Sequence, residues 1–187
     1  MLTRNATALL LLLAAPTVLQ GCTTPPKTDA TAVLSAANKG DTQRLVDQLA
    51  EGADPNITDP ANMETPLHIA ARRGDSRAVQ ALAASGAELN ARRSDGATPL
   101  ALAITNGHLS TSKALIRAGA RVNTQYQNKP LLMIVVEQGS LLMAQVMLSA
   151  GASVNARDAE GETALMVAVK KNNEDMQMLL RQSGGEI

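Results

Sequence analysis

One cysteine, Cys22, is present in 187 residues, and the four residues that end on it read Leu19-Gln20-Gly21-Cys22. A thiol can be acylated, alkylated or oxidised, but with no second cysteine an internal disulfide is excluded. His68 and His108 are the side chains best suited to acid–base or metal chemistry. They lie in different segments, and no ligand set gathers around either at metal-site spacing, so both read as structural histidines and no metal is expected. Serines and aspartates occur without a Gly-x-Ser-x-Gly elbow, a phosphate-cradling glycine loop or a His-Glu-x-x-His pair. Met133, Met143 and Met147 alternate with Leu and Val on helical faces, the pattern of gap-filling core rather than of a soft-metal site. These residues predict neither catalysis nor a cofactor.

The residues ahead of Cys22 form a different kind of signal. Met1 to Asn5 carry one Arg and no acid, Ala8 to Ala15 are an unbroken apolar run, and small Gly21 precedes the cysteine. A basic head, a short apolar middle and a small residue describe a secretory signal, too short to span a bilayer as a mature helix. Leu-x-Gly-Cys resembles the bacterial lipobox. That resemblance implies removal of residues 1–21, lipidation of Cys22 and a durable anchor of several acyl chains, since a single chain holds only reversibly. It further implies a cell-envelope protein facing the periplasm. The outer membrane is favoured over the inner, because Thr23 stands where an Asp commonly signals inner-membrane retention. Residues 22–30 are then a short tether, polar and holding two prolines that favour an extended spacer.

What must position any functional surface is a repeat. Gly-Ala followed two residues later by Asn ends at Asn56, Asn90, Asn123 and Asn155, in steps of 34, 33 and 32 residues. A period of this length means that one unit cannot bury its apolar face alone, and that neighbours stack into a continuous core. In the second copy Leu67, Ala70 and Ala71 mark one face of a first helix, and Val79 and Leu82 one face of a second. Thr65, Thr98 and Thr163 stand at helix starts, where a hydroxyl can accept from a free N–H. Glycines at 74, 107 and 139 separate the helices, and those at 52, 86, 119, 151 and 184 end the second ones. Asn56-Ile57-Thr58 matches a glycosylation acceptor, but this Asn is the recurring end of every copy. Aromatic residues are limited to one tyrosine, and small apolar residues suit thin, closely packed helices.

Thr-Pro-Leu-His-x-Ala-Ala at 65–71, Asn-Gly-His at 106–108 and the Gly-Ala-x-x-Asn endings resemble the ankyrin repeat. The resemblance implies an all-α solenoid of about five helix-turn-helix units with short hairpin loops, over residues 31–187. The repeats fall at about 31–56, 57–90, 91–123, 124–155 and 156–187. Copy one lacks a preceding hairpin, and copy five carries polar Gln177 and Arg181, so both read as end caps. The fourth copy departs most, with Lys129-Pro130-Leu131-Leu132 where the threonine-led phrase is expected, which leaves its helix cap in question.

In such stacks the hairpin tips and first-helix ends form a concave groove that binds proteins. Counting from the fixed leucine assigns Asn38, Lys39, Arg72, Arg73, Thr105, Asn106, Glu137, Gln138, Lys170 and Lys171 to the helix ends. It assigns Asn62, Glu64, Ser94, Asp95, Ala97, Tyr126, Gln127, Lys129, Ala159, Glu160 and Glu162 to the tips. The expected partner-binding set is Tyr126, Arg72, Arg73, Asn106, Glu137, Lys170, Lys171, Asp95 and Lys129, on a groove basic at both ends. Tyr126, the sole aromatic, is the expected anchor, at a tip where the fold has no need of one, with packing against its own hairpin as the alternative. Formal net charge is zero, which argues against a broad electrostatic nucleic-acid binder.

The whole reads as a monomeric, non-enzymatic, lipid-anchored scaffold for a protein partner in the periplasm. Two specific roles fit. One is an accessory or adaptor factor for an envelope enzyme; the other is an immunity protein that neutralises an antibacterial effector such as a secreted phospholipase. An enzyme is the disfavoured third class.

Cys22→Ser is expected to leave an unanchored or uncleaved precursor, because only that thiol can take the lipid. Metabolic labelling with a fatty acid, followed by fractionation, checks this; a serine variant that still labels and sediments with membranes would show that the lipoprotein reading is wrong.

Overall fold

The computed structural model describes residues 30–187. The leader, Cys22 and nearly all of the tether lie outside the described residues. The first copy consists of α1 (Ala30–Lys39) and α2 (Thr42–Ala50), and the second of α3 (Pro66–Arg73) and α4 (Ser76–Ala84). The third has α5 (Pro99–Thr105) and α6 (Leu109–Ala118). The fourth opens with a two-residue hairpin, β1 (Gln125–Tyr126) and β2 (Lys129–Pro130), and continues into α7 (Leu131–Glu137) and α8 (Leu141–Ser149). The fifth is α9 (Ala164–Lys170) and α10 (Glu174–Gln182). The two strands pair antiparallel, Tyr126 opposite Lys129, and a single bridge joins Arg157 to Thr163 in the next hairpin. Everything else that is regular among the described residues is helical, in the expected all-α stack.

Each helix begins and ends for a local chemical reason. The hydroxyls of Thr65, Thr98 and Thr163 accept from the N–H groups of His68, Ala101 and Met166, as their positions predict. Asp41, Asp75 and Asn173 do the same for the second helices α2, α4 and α10. In the fourth copy Pro130 occupies the cap position and offers no side-chain acceptor. That helix is held by burial instead: every residue from Leu131 to Val136 is buried. Gly74 ends α3 with φ 78°, and a Cβ there would come within 2.7 Å of the His108 ring. The position needs glycine for both conformation and space.

The packing follows from the stacking of like helices on like. First helices contact one another in succession, α1 on α3, α3 on α5, α5 on α7 and α7 on α9, while α2, α4 and α6 pack along the outer row. A first helix is therefore covered on both flanks and by its own second helix. This explains why α3, α5 and α7 are buried almost all round and only their last residues reach water. One continuous core runs from Val33 to Leu180, with Leu67, Leu100, Leu115, Met147 and Leu165 among its most completely buried side chains. Met133, Met143 and Met147 are part of it, as expected of gap-filling methionine.

The recurring asparagine is the polar counterpart of that core. The Asn56 carboxamide accepts from the Glu88 N–H at 2.7 Å and donates to the Gly86 carbonyl at 3.2 Å, one repeat further on. Asn123 makes the same two bonds to Ser153 N–H and Gly151 O, and Asn155 to Glu186 N–H and Gly184 O. Asn90 accepts from Arg121 N–H. Each such bond contributes about 0.5–1.5 kcal/mol net. Together they set the spacing between successive outer turns, and the glycosylation-like triplet at Asn56 is part of this ladder.

His68 is fully buried and bonded at both ring nitrogens. The Thr65 N–H donates to Nδ1 at 3.2 Å, which makes Nδ1 an acceptor, and Nε2–H donates to the carbonyls of Ala91 and Ala97, both at 3.1 Å. The neutral imidazole thus closes a capping box at α3 and ties it to the next hairpin. Burial holds its pKa below the ordinary imidazole value and outweighs the opposing pull of the Ala97 and Ala91 carbonyls and of Glu64.

Two outcomes follow from the stack. Leu100, which has a repeat on either side, is expected to cost about 2–5 kcal/mol on truncation to Ala. Val33→Ala at the open end is expected to cost less, because it has fewer neighbours and loses less volume. Denaturant midpoints compare them, and a greater loss at Val33 would contradict neighbour-coupled stacking. His68 is depressed in the folded state, so its contribution is complete above the unfolded imidazole pKa, about 6.5. It is lost as pH falls through the lower folded value. Thermal melts at successively lower pH should therefore show a destabilisation that His68→Gln blunts; a variant with an unchanged pH profile would remove His68 from that account.

Candidate functional site

The residues expected on the binding face come from hairpins and first-helix ends, and the structure brings most of them into paired contacts. In three hairpins the side chain just before the helix cap reaches the residue eight positions later, at the end of that helix. Glu64 pairs with Arg72 at 3.3 Å, Lys129 with Glu137, and Glu162 with Lys170. The hairpin acid and helix base of the second and fifth copies are reversed in the fourth. In the third copy the same two positions hold Ala97, which is buried, and Thr105, whose hydroxyl turns back onto the Ala101 carbonyl at 2.9 Å. The face is thus a series of internally compensated struts with one uncharged gap at its centre.

A second set of contacts runs across the repeats. Arg93 donates to Glu64 at 2.9 Å and to Asp95 at 2.7 Å, linking the hairpins of the second and third copies. The Tyr126 hydroxyl lies 3.4 Å from the same Asp95 carboxylate and extends the chain to the fourth copy. Arg72, Glu64, Arg93, Asp95 and Tyr126 therefore form one polar network over three hairpins. The bond from Arg93 holds the Asp95 carboxyl below its usual range, and Asp95 in turn raises the Arg93 guanidinium. The Lys129 ammonium is raised by its bond to Glu137. Because Glu64 is only 8% exposed while Arg72 is 43% exposed, the buried acid depends on Arg93 and Arg72, whereas Arg72 itself remains open to a partner.

Side chains at the helix ends also bond to the backbone of the preceding repeat. Arg73 donates to the Asn38 carbonyl at 3.0 Å, and the Gln138 amide donates to the carbonyls of Ile104 and Thr105 at 3.0 and 3.2 Å. The His108 ring sits 3.0 Å from the Arg72 carbonyl. Each satisfies the negative end of a helix and places a positive or polar group where the dipole favours it.

Several expectations are corrected by this geometry. Glu64 and Ala97 are buried and are not tip residues available to a partner. The basic ends of the groove are partly neutralised, since Arg72 and Lys170 are paired with hairpin acids. Tyr126 does serve the fold: it is half-buried against the core. Asn106 is exposed, but its amide donates to Leu102 O at 2.7 Å within its own helix. Lys171 is exposed and forms no ion pair among the described residues. Arg93, the centre of the network, was missing from the expected set. The opposite charges eight residues apart in three copies pointed to a hairpin folded back on its helix, but they do not include Arg93, whose bond to Glu64 spans 29 residues.

At the base of the β1–β2 hairpin, Val122, Thr124, Pro130, Leu131 and Ala156 help to enclose a recess of about 210 Å³. Among the described residues no three His, Cys, Asp or Glu side chains converge as a metal site. No helix of the described residues is long and apolar enough to cross a membrane.

Comparison with known proteins agrees with the architecture. The family model for ankyrin repeats (3 copies) matches residues 33–126 and 124–187. A transient receptor potential cation channel subfamily A member 1 homolog of Caenorhabditis elegans is 30% identical over 110 residues, 59% of this chain and 9% of that protein. The potassium channel AKT2/3 of Arabidopsis thaliana is 28% identical over 162 residues, 87% of this chain and 20% of the channel. The ankyrin repeat and KH domain-containing protein mask-1 of C. elegans is 30% identical over 153 residues, 81% of this chain and 6% of that protein. The chain spans a fifth or less of the length of these relatives. What is shared is the repeat stack, a typically non-enzymatic scaffold for protein–protein interaction, and on that ground the chain belongs to the ankyrin-repeat family.

Proposed function

We propose that this protein is a lipid-anchored scaffold of the bacterial periplasm, held by Cys22 to the outer membrane, that binds a protein partner across its hairpin and first-helix face. The family supports protein binding, and the Leu-Gln-Gly-Cys run supports the anchor. The observation that carries the site assignment is the network from Arg72 through Glu64, Arg93 and Asp95 to Tyr126, which presents two cations and an aromatic ring already fixed in place. Fixing side chains before association lowers the ordering cost of binding. Arg72 and Lys171 then favour an acidic partner surface, and the neutral centre around Thr105 leaves room for an apolar contact.

The same pre-ordering favours a tight, neutralising interaction as the second reading. In that reading the scaffold is an immunity protein that blocks an effector acting on the envelope, such as a secreted phospholipase, from a position beside the lipid. An accessory factor for an envelope enzyme uses the same face at lower affinity. A toxin gene adjacent to this one favours immunity, and an envelope-enzyme gene favours the accessory role.

A partner recovered from envelope extract with the lipidated protein permits a direct test by calorimetry. Tyr126→Ala is expected to weaken binding by about 2 kcal/mol or more. The joint change of Arg72 and Arg73 to Ala is expected to weaken it in a salt-dependent way. Both variants should also melt slightly earlier, because Tyr126 packs on the core and Arg73 caps α1. Undiminished affinity in both would move the interface away from this face.

A further inference from the structure

The zero net charge conceals an uneven distribution. On the hairpin side most ions are paired, but the three consecutive outer helices α4, α6 and α8 carry Arg77, Lys113 and Arg117 and no carboxylate. None of these three cations has an ion pair or side-chain hydrogen bond among the described residues. The turns after α4 and α6 add Glu88 and Arg121, one charge of each sign.

Lys113 and Arg117 are one helical turn apart on α6 and form a ridge between two adjoining grooves. The α4–α6 groove encloses about 570 Å³ beside Gln80 and Ala83. The α6–α8 groove encloses about 370 Å³ beside Ile116, Leu142 and Val146. Leu142 is 61% exposed, on a helix whose sequence LLMAQVMLS contains no charge. Basic groups beside exposed Leu142 and half-buried Ile116 and Val146 fit an interface between water and lipid, where anionic phosphates meet hydrocarbon. A protein interface centred here would be expected to include aromatic side chains. The chain's single aromatic, Tyr126, belongs instead to the hairpin network.

We infer that this outer-helix face rests on a bilayer containing anionic phospholipid, with Lys113 and Arg117 at the level of the phosphates and Leu142 entering the interface. The choice of lipid over an acidic protein rests partly on the anchor reading. Seven residues separate Cys22 from α1, a reach of at most about 25 Å. An anchored domain is therefore confined to the membrane surface, and this orientation leaves the hairpin face open to a partner.

The test uses the chain from residue 22 onward, without the apolar leader and carrying Cys22→Ser and Leu142→Cys, so that position 142 holds the only thiol, labelled with an environment-sensitive fluorophore. A second protein carries the label at Ser94→Cys, on a hairpin tip. Both are mixed with vesicles of phosphatidylcholine alone or with phosphatidylglycerol. The 142 label should shift to the blue on anionic vesicles only, and the 94 label should not respond. Lys113→Gln with Arg117→Gln should weaken the response roughly 30-fold in lipid concentration, from two charges near an anionic surface, with melting unchanged. A silent 142 label on anionic vesicles overturns the proposal. An equal response on neutral vesicles, or at position 94, also overturns it. Without the Cys22 thiol the protein carries no lipobox lipid, so this result is independent of the anchor, whereas absence of fatty-acid labelling in the wild-type protein would sink the anchor without touching it.

Discussion

A helix as short as α5 or α7, apolar on nearly every side, is stable in water only between two others. Seven residues form too few intrahelical bonds to offset the cost of helix nucleation. Burial of Leu100, Ala103 and Ile104, or of Leu131, Met133 and Val135, compensates only when α3, α5, α7 and α9 lie side by side. Every other feature serves this lateral packing. Small residues such as Ala70, Ala71 and Ala103 let the helices approach, and the second helices cover one flank. The asparagine ladder holds successive turns at the spacing that the core requires.

The same constraint determines where function can reside. Because the first helices are closed by their neighbours, only their last residues and the hairpins ahead of them remain accessible, together with the outer faces of the second helices. On the hairpin side the accessible charges are largely used to brace the structure, Glu64 against Arg72 and Arg93, Lys129 against Glu137. This produces a face of fixed shape and low free charge. The outer side is the reverse: Arg77, Lys113 and Arg117 have no internal partners among the described residues, so they remain available to an anionic surface. A chain of zero net charge thus presents two chemically different sides.

The fourth copy shows how much local variation the stack tolerates. It loses the threonine cap to Pro130 and shortens its turn, yet α7, like α5, has six of its seven residues buried. A lost cap costs about 1 kcal/mol, whereas six consecutive buried side chains, three of them β-branched, contribute several times that. Local capping chemistry is therefore dispensable in the interior of the stack. In the fifth copy Thr163 and Asn173 both cap their helices.

The period, the helix starts at Thr65, Thr98 and Thr163, and the glycine stops were determined by sequence alone, because capping and left-handed turns depend on the residues adjacent in the chain. The all-α stack followed from them, as did the structural roles of His68 and the methionines. The partners of the polar residues did not. Asn56 bonds a turn 30 and 32 residues away, Arg93 reaches Glu64 at 29, and Tyr126 reaches Asp95 at 31. Such contacts exist only once repeats are stacked, and no local pattern distinguishes a free surface arginine from one holding a buried acid. Tertiary structure alone therefore decided that Glu64 and Ala97 are buried, that Arg72 and Lys170 are paired, and that Tyr126 supports the fold, since whether a charge is available depends on what the neighbouring repeat places beside it.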